Sequence, residues 1–175
     1  MLSPIELFSL YGNIIPLNIN APMEVLHSDL VEEKKYENEV GNKIVWHYKE
    51  APETWNIPSN IKINKPVRIE LNRGSFFLPH RDLILEKYQR KYVRLNCHPN
   101  NIHPEDCTYV INGQIQHWRQ NQWMIINSNL SHYSFCFKDN TVHYAVDIDI
   151  TDEASHDWLI SKIDYAVRGE GPGNK

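Results

Sequence analysis

The stretch VHYAVDIDI at Val142–Ile150 decides the fold class. Its even-numbered residues are all β-branched or aromatic, which is typical of a buried β-strand. Similar short runs, separated by turn signals, precede it at Val67–Leu71, Tyr92–Cys97, Thr108–Ile111, Trp123–Asn127 and Tyr133–Phe137. Many short strands with few helices between them predict a mainly β protein, either a sandwich or a jelly roll.

Three helices are predicted, two of them at the ends of the chain. Ser3 followed by Pro4 is typical of a helix start, with serine as the N-cap and proline at the first helical position. A second helix is predicted in the charged stretch from about Ala21 to Tyr36. Helical spacing of apolar residues predicts a last helix from Glu153 to Val167, ending at Gly169.

Turn residues divide the remaining chain. Asn112-Gly113 is the signal for a tight hairpin between two strands. Prolines at Pro52, Pro58 and Pro66 indicate a loop region. No repeat or linker interrupts the sequence, so residues 1–175 are expected to form a single domain, with the β core at about 66–150.

Composition excludes several functional classes. The chain of 175 residues is 41% hydrophobic and 23% charged, as in ordinary globular proteins. A net charge of −4 and a pI near 6.1 argue against a nucleic-acid partner. No apolar run approaches the ~18 residues of a membrane span. Three cysteines without a CxxC pair, and no signal peptide, lead us to expect a reducing, cytoplasmic location.

The segment Leu78-Pro79-His80-Arg81-Asp82 contains a candidate metal site. Residues two apart on an extended segment point to the same side, so His80 and Asp82 can reach one ion. A third ligand must come from a distant strand, and His132 opens one. Two histidines and one carboxylate on one face leave three open positions, the arrangement of non-haem iron(II) oxygenases.

Other histidines compete for the role of ligand. They are His98, His103, His117 and His143. The first two are in a segment rich in Pro and Asn and are expected to be exposed, whereas the third precedes a tryptophan on a predicted hairpin. His80, Asp82 and His132 remain the preferred set, because they match strand ends in a strand-rich chain.

From about Phe76 to Ile150 the chain resembles the iron(II)/2-oxoglutarate dioxygenases, and within them the aspartyl/asparaginyl β-hydroxylase-like branch. The likeness is carried by the segments LPHRD at 78–82, YVRLN at 92–96, WRQNQWMIIN at 118–127, His132 and YAVDI at 144–148. The resemblance implies a double-stranded β-helix fold, cupin-like, with flanking helices. It also implies iron(II) bound by His80, Asp82 and His132, with 2-oxoglutarate as cosubstrate.

The cosubstrate contacts depart from the family pattern. Family members usually place an arginine on the last core strand, but here that strand offers only Thr141 and His143. Arg94 is the better candidate for the distal carboxylate, because it shares a strand face with Tyr92 and Asn96. A permanent guanidinium is a stronger carboxylate anchor than a neutral imidazole.

The sequence therefore predicts a hydroxylase that acts on an amino-acid side chain, free or in a polypeptide, with oxidative decarboxylation of 2-oxoglutarate. The alternative is a cupin-like metal-binding domain that does not use 2-oxoglutarate. A third hypothesis is an interaction domain in which the histidines are structural. Substrate contacts usually lie in loops around a barrel mouth, so the substrate itself is left open.

Overall fold

The computed structural model describes most of the chain. Backbone and side chains are described for residues 1–23, 44–75, 79–81, 91–99 and 102–165, and the backbone alone for 30–38 and 41–43. Among the predicted site residues, Asp82 lies outside these ranges.

The strands of the described chain form two antiparallel sheets. Their bounds are β1 Ile14–Asn20, β2 Leu30–Asn38, β3 Gly41–Tyr48, β4 Ile63–Leu71, β5 Tyr92–Cys97, β6 Cys107–Ile111, β7 Gln114–Gln116, β8 Gln122–Ile126, β9 His132–Cys136 and β10 Thr141–Asp149. The larger sheet has the order β1-β8-β5-β10-β4-β3-β2, and the smaller one has the order β7-β6-β9. Two facing antiparallel sheets confirm the double-stranded β-helix.

The larger sheet is buried on both faces. On one face, a cluster that includes Val67, Ile69 and Ala145 packs against Tyr109 and Ile111 of the smaller sheet. On the other face, Trp123, Tyr144 and Val146 pack in one cluster with Trp55 and with Leu159 of the last helix. All residues of β10 are buried, because this strand lies in the middle of the sheet with both faces covered.

A helix is present at each end of the chain as predicted, but the last one ends at Lys162, before the predicted end, and Val167 and Gly169 lie outside the described residues. Helix α1, Pro4–Tyr11, begins with a capping box in which Ser3 and Glu6 bind each other's backbone N–H groups. Helix α2, Glu153–Lys162, begins at Asp152, whose carboxylate accepts from the backbone N–H of Ser155. Both helices contact β1 of the larger sheet. Within the described residues, no helix has the length and apolarity that crossing a membrane requires.

The helix predicted from Ala21 to Tyr36 is wrong over its second half. Leu30–Asn38 forms strand β2, which pairs with β3 at the edge of the larger sheet. Glutamate and lysine favour a helix in isolation, but charged residues are also typical of edge strands, where they discourage pairing with another molecule. Pairing with β3 therefore overrides the local propensity.

Pro66 was also misassigned, because it lies inside β4 and not in a loop. Val67 pairs with Ala145 and Asn64 pairs with Asp147, so β4 contains one residue more than β10 between these pairs. This β-bulge accommodates a proline, which has no N–H to donate to the ladder. The larger sheet also includes β1, β2 and β3, all of which precede residue 66, the predicted start of the β core.

The hairpin predicted at Asn112-Gly113 is confirmed between β6 and β7. Asn112 has φ of 51° and Gly113 has φ of 76°. Positive φ at both central residues is required by a type I′ turn, and asparagine and glycine adopt it most readily.

Candidate active site

A cavity of about 230 Å³ opens between the two sheets. The larger sheet lines it with an apolar group of Val45, Val67, Ile69, Ile126 and Ala145, and with a polar group of His47, Lys65, Arg94, Asn96 and His143. Opposite these lie His80, Tyr109, His132, Tyr133 and Ser134. The combination of an apolar wall with converging polar groups is typical of a small-molecule site.

His80 and His132, two of the three predicted metal ligands, are brought together at this cavity. The His80 N–H donates to the His132 carbonyl at 3.1 Å, and the His132 N–H donates to the His80 carbonyl at 2.9 Å. Their ring centroids lie 4.4 Å apart. Within the described part of the chain no third His, Cys, Asp or Glu completes a metal-binding group, and the predicted third ligand, Asp82, lies outside it.

The His132 ring has a defined tautomer. Its Nδ1 lies 3.1 Å from the carbonyl oxygen of Leu130. A carbonyl only accepts, so Nδ1 must carry the proton and Nε2 the lone pair. Metal-binding histidines are commonly oriented by such a backbone hydrogen bond. The donor chemistry of His132 therefore fits a divalent metal ion.

Arg94 lines the cavity and is paired with a neighbouring strand. Its Nε donates to Asp147 Oδ1 at 2.8 Å and its Nη2 donates to Asp147 Oδ2 at 3.2 Å. The Arg94 and Asp147 side chains are 17% and 1% exposed, respectively. The pairing uses two of the five N–H groups of a guanidinium and holds its plane against the sheet. Arg94 is therefore oriented before any ligand enters.

A buried hydrogen-bond chain that includes His98 and Tyr109 lies at the cavity. His98 Nδ1 lies 2.9 Å from the Val142 carbonyl oxygen and so donates to it, and its Nε2 accepts from the Tyr109 hydroxyl at 3.1 Å. Asn96, which also lines the cavity, is 5% exposed. Asn96 Oδ1 remains as a buried acceptor with no hydrogen-bond partner.

The expectation that His98 is exposed is wrong, because its side chain is 1% exposed. It follows directly after β5, so the strand carries it inward between the sheets. Burial lowers the pKa of His98 to about 4, and its hydrogen bond to Val142 opposes this effect only in part. His103 and His117 are exposed, and neither lines the cavity.

This buried histidine predicts a pH dependence of stability. Between pH 6.5 and about 4 the unfolded chain binds a proton at His98 and the folded chain does not. The free energy of unfolding therefore falls as the pH falls through this window, by about 3 kcal/mol for this group. In urea titrations from pH 7.5 to 4.5, His98→Gln should show a shallower pH dependence than the wild type. Equal slopes for the two would contradict the assignment, and His103→Gln is the exposed control.

The other predicted cosubstrate contacts divide into two groups. His143 lines the cavity, and its ring centroid lies 5.5 Å from that of His98. Tyr92 and Thr141 do not line it, because both lie at strand ends. The Thr141 hydroxyl donates to the Lys138 carbonyl at 2.9 Å, and the Lys91 ammonium lies over the Tyr92 ring.

Several lining residues were missed by sequence reasoning. Tyr109 and Ser134 pair with each other across β6 and β9, and strand alternation from His132 places the serine on the same face. That signal was present in the sequence. Lys65 and His47 carried no such signal, because the start of β4, before Val67, was assigned to a loop and β3 was left unassigned.

These features define the class of protein: a double-stranded β-helix with a histidine-lined cavity between its sheets. A family model described as Aspartyl/Asparaginyl beta-hydroxylase matches residues 34–148, more than half of the chain. The chain belongs to the aspartyl/asparaginyl β-hydroxylase family, a family of hydroxylases, as its sequence resemblance indicated. None of the curated proteins compared matches the sequence.

Solved structures with similar architecture include a cupin-2 domain from Rhodospirillum rubrum. It is 9% identical with a TM-score of 0.47, over 86% of this chain and 93% of that one. The ribosomal oxygenase YcfD from Escherichia coli is 13% identical with a TM-score of 0.44, over 99% of this chain and 50% of that one. YcfD in complex with cobalt and 2-oxoglutarate gives a TM-score of 0.43 at 13% identity, over the same shares of the two chains.

Proposed function

We propose that this protein is an iron(II)-dependent hydroxylase of amino-acid side chains, free or in a polypeptide, that consumes 2-oxoglutarate. The observation that carries the proposal is the pairing of His80 with His132 on the wall of a cavity that also contains a guanidinium. Membership of a hydroxylase family supports the same reaction. When bound, iron(II) would supply oxygen activation coupled to the decarboxylation of 2-oxoglutarate to succinate.

The residues of the chain have distinct roles in this proposal. His80, Asp82 and His132 hold the metal, and the bond from His132 Nδ1 to Leu130 keeps Nε2 as the ligating nitrogen. Arg94 orients the cosubstrate through a carboxylate, with Asn96 and His143 beside it. Tyr92 and Thr141 lie at strand ends and do not line the cavity. The apolar wall, with Val67 and Ile69, excludes water from the reacting groups.

One observation favours the alternative, a cupin-like metal-binding domain that does not use 2-oxoglutarate. Arg94 is already paired with Asp147, and β10 carries neither arginine nor lysine. In that case the cavity would bind a metal and a different small molecule.

The cytoplasmic location remains a prediction. Cys97, Cys107 and Cys136 are free thiols, which is consistent with a reducing compartment.

Succinate formation separates the two candidates. Purified protein with iron(II), ascorbate and 2-oxoglutarate labelled at C1 should release labelled carbon dioxide, and succinate in equal amount. His132→Ala should abolish both products, whereas His103→Ala, at an exposed histidine, should retain them. Iron binding by the wild type without any binding of 2-oxoglutarate would favour the cupin-like alternative and exclude the proposed reaction.

A further inference from the structure

Lys65 is a cation that lines the cavity and has no role in the reaction proposed above. Among the described lining residues, the permanent cations are Arg94 and Lys65. The charge of Arg94 is offset by Asp147, with which it forms two hydrogen bonds. No carboxylate of the described residues pairs with Lys65. Lys65 therefore carries the uncompensated positive charge of this part of the cavity.

The backbone at Lys65 is unusual for a lysine. Its φ is 50°, and the other non-glycine residues with positive φ in the described chain are all asparagines, at Asn56, Asn112, Asn121 and Asn140. Asparagine and glycine adopt this conformation at much lower cost than a long side chain. A lysine at such a position points to a role for its side chain, since the backbone alone would favour another residue.

Lys65 lies at the bulge in β4. The extra residue lies between Asn64, which pairs with Asp147, and Val67, which pairs with Ala145. Bulges redirect side chains and are frequent beside active sites. Lys65 lines the same cavity as His80 and His132, as do Val67 and Ile69, two and four residues further along the strand.

We propose that Lys65 binds a carboxylate of the ligand that occupies this cavity. Lys65 is exposed at the cavity, and a compact ammonium group without a carboxylate partner attracts an anion with the modest strength of a solvent-accessible ion pair. The carboxylate belongs either to 2-oxoglutarate, whose distal end Lys65 would bind together with Arg94, or to an acidic substrate. In its cosubstrate form the proposal rests on the proposed function.

The cosubstrate form is tested with two 2-oxo acids of equal chain length. 2-Oxoglutarate carries a distal carboxylate, and 2-oxopentanoate carries a methyl group in its place. Calorimetry of manganese-loaded protein would compare the wild type with Lys65→Met, which removes the charge and keeps the apolar stem. We expect Lys65→Met to bind 2-oxoglutarate roughly fivefold more weakly than the wild type, which is the size of effect expected for a partly exposed ion pair. Its affinity for 2-oxopentanoate should be unchanged.

The substrate form is tested with a second pair on the same proteins, the N-methylamides of N-acetylaspartate and N-acetylasparagine, with and without 2-oxoglutarate. If the carboxylate belongs to the substrate, Lys65→Met should lose the preference for the aspartate compound and keep the wild-type response to the oxo acids. Lys138→Met is the control, because Lys138 pairs with Asp106 and does not line the cavity.

The outcomes separate this proposal from the proposed function. A wild type that binds neither oxo acid contradicts 2-oxoglutarate use, while the aspartate pair still tests Lys65. The role of Lys65 is overturned if Lys65→Met keeps every wild-type preference for an anionic compound, or if the wild type has no such preference. If Lys65→Met loses affinity only for 2-oxoglutarate, or only for the aspartate compound, the result supports the role of Lys65 and shows which molecule carries the carboxylate.

Discussion

Replacing His132 by alanine is expected to lower the affinity for iron(II) by more than about 100-fold. Loss of a residue that merely orients a ligand already costs about 10–100-fold in metal affinity, so loss of the ligand itself costs more. His80→Ala should have an effect of the same size, because the two rings lie side by side at the cavity wall. Anaerobic iron(II) titration followed by calorimetry measures both.

Two further variants define the site more closely. His103→Ala should bind iron as the wild type does, because this histidine is exposed and does not line the cavity. Asp82→Ala is expected to be milder than either histidine variant, since the family branch that the sequence resembles includes members without the carboxylate. Unchanged iron binding in His80→Ala would show that the metal assignment is wrong. Circular dichroism of each variant excludes unfolding as the cause of a loss.

Arg94→Ala is expected to have two large effects, one on stability and one on binding. The Asp147 side chain is 1% exposed, and its guanidinium partner would be missing. Removing one member of a buried ion pair costs about 3–5 kcal/mol, because the other charge stays buried. Loss of a charge-assisted hydrogen bond to 2-oxoglutarate should weaken its binding by roughly ten- to a hundredfold. Urea unfolding and calorimetry with manganese present measure the two effects.

The effects of Arg94→Ala on stability and on binding are separated by replacing Asp147, the partner of Arg94. Asp147→Asn keeps the guanidinium but removes the competing carboxylate, so 2-oxoglutarate should bind at least as tightly as it does to the wild type. The double variant Arg94→Gln, Asp147→Asn removes the cation without leaving a buried charge, and should lose the binding while recovering stability. A double variant that binds 2-oxoglutarate as the wild type does would exclude Arg94 as its anchor.

His143→Ala provides the comparison on the last strand. We expect a smaller loss of 2-oxoglutarate affinity than in the Arg94 variants, because a neutral imidazole is a weaker partner for a carboxylate. That loss should grow at lower pH if a protonated imidazole contributes to binding. A large loss in His143→Ala, with unchanged binding in Arg94→Ala, would reverse the assignment of the anchor.

Features set by neighbouring residues were predictable from the sequence. The Asn112-Gly113 turn, the Ser3 cap and the strand at Tyr92–Cys97 all appear where local patterns place them. Each depends on side-chain geometry within a few residues, which the sequence displays directly. The proximity of His80 and His132 was also anticipated, from their places at strand ends and from the resemblance to a family.

Features set by the pairing of one strand with another were not predictable. Leu30–Asn38 has the composition of a helix, and only its partner β3 makes it a strand. His98 was expected on the surface, but strand β5 carries it between the sheets.

Arg94 and Lys65 show the same difference, within the cavity, between what local sequence predicts and what strand pairing decides. Strand alternation at Tyr92–Asn96 was enough to predict that Arg94 faces inward. Its partner Asp147 and the bulge at Lys65 depend on how β10 pairs with β5 on one side and β4 on the other. The sequence by itself determined which side chains are available to the site. Tertiary structure decided which charges offset one another, because register and bulges arise only when strands far apart in the chain pair.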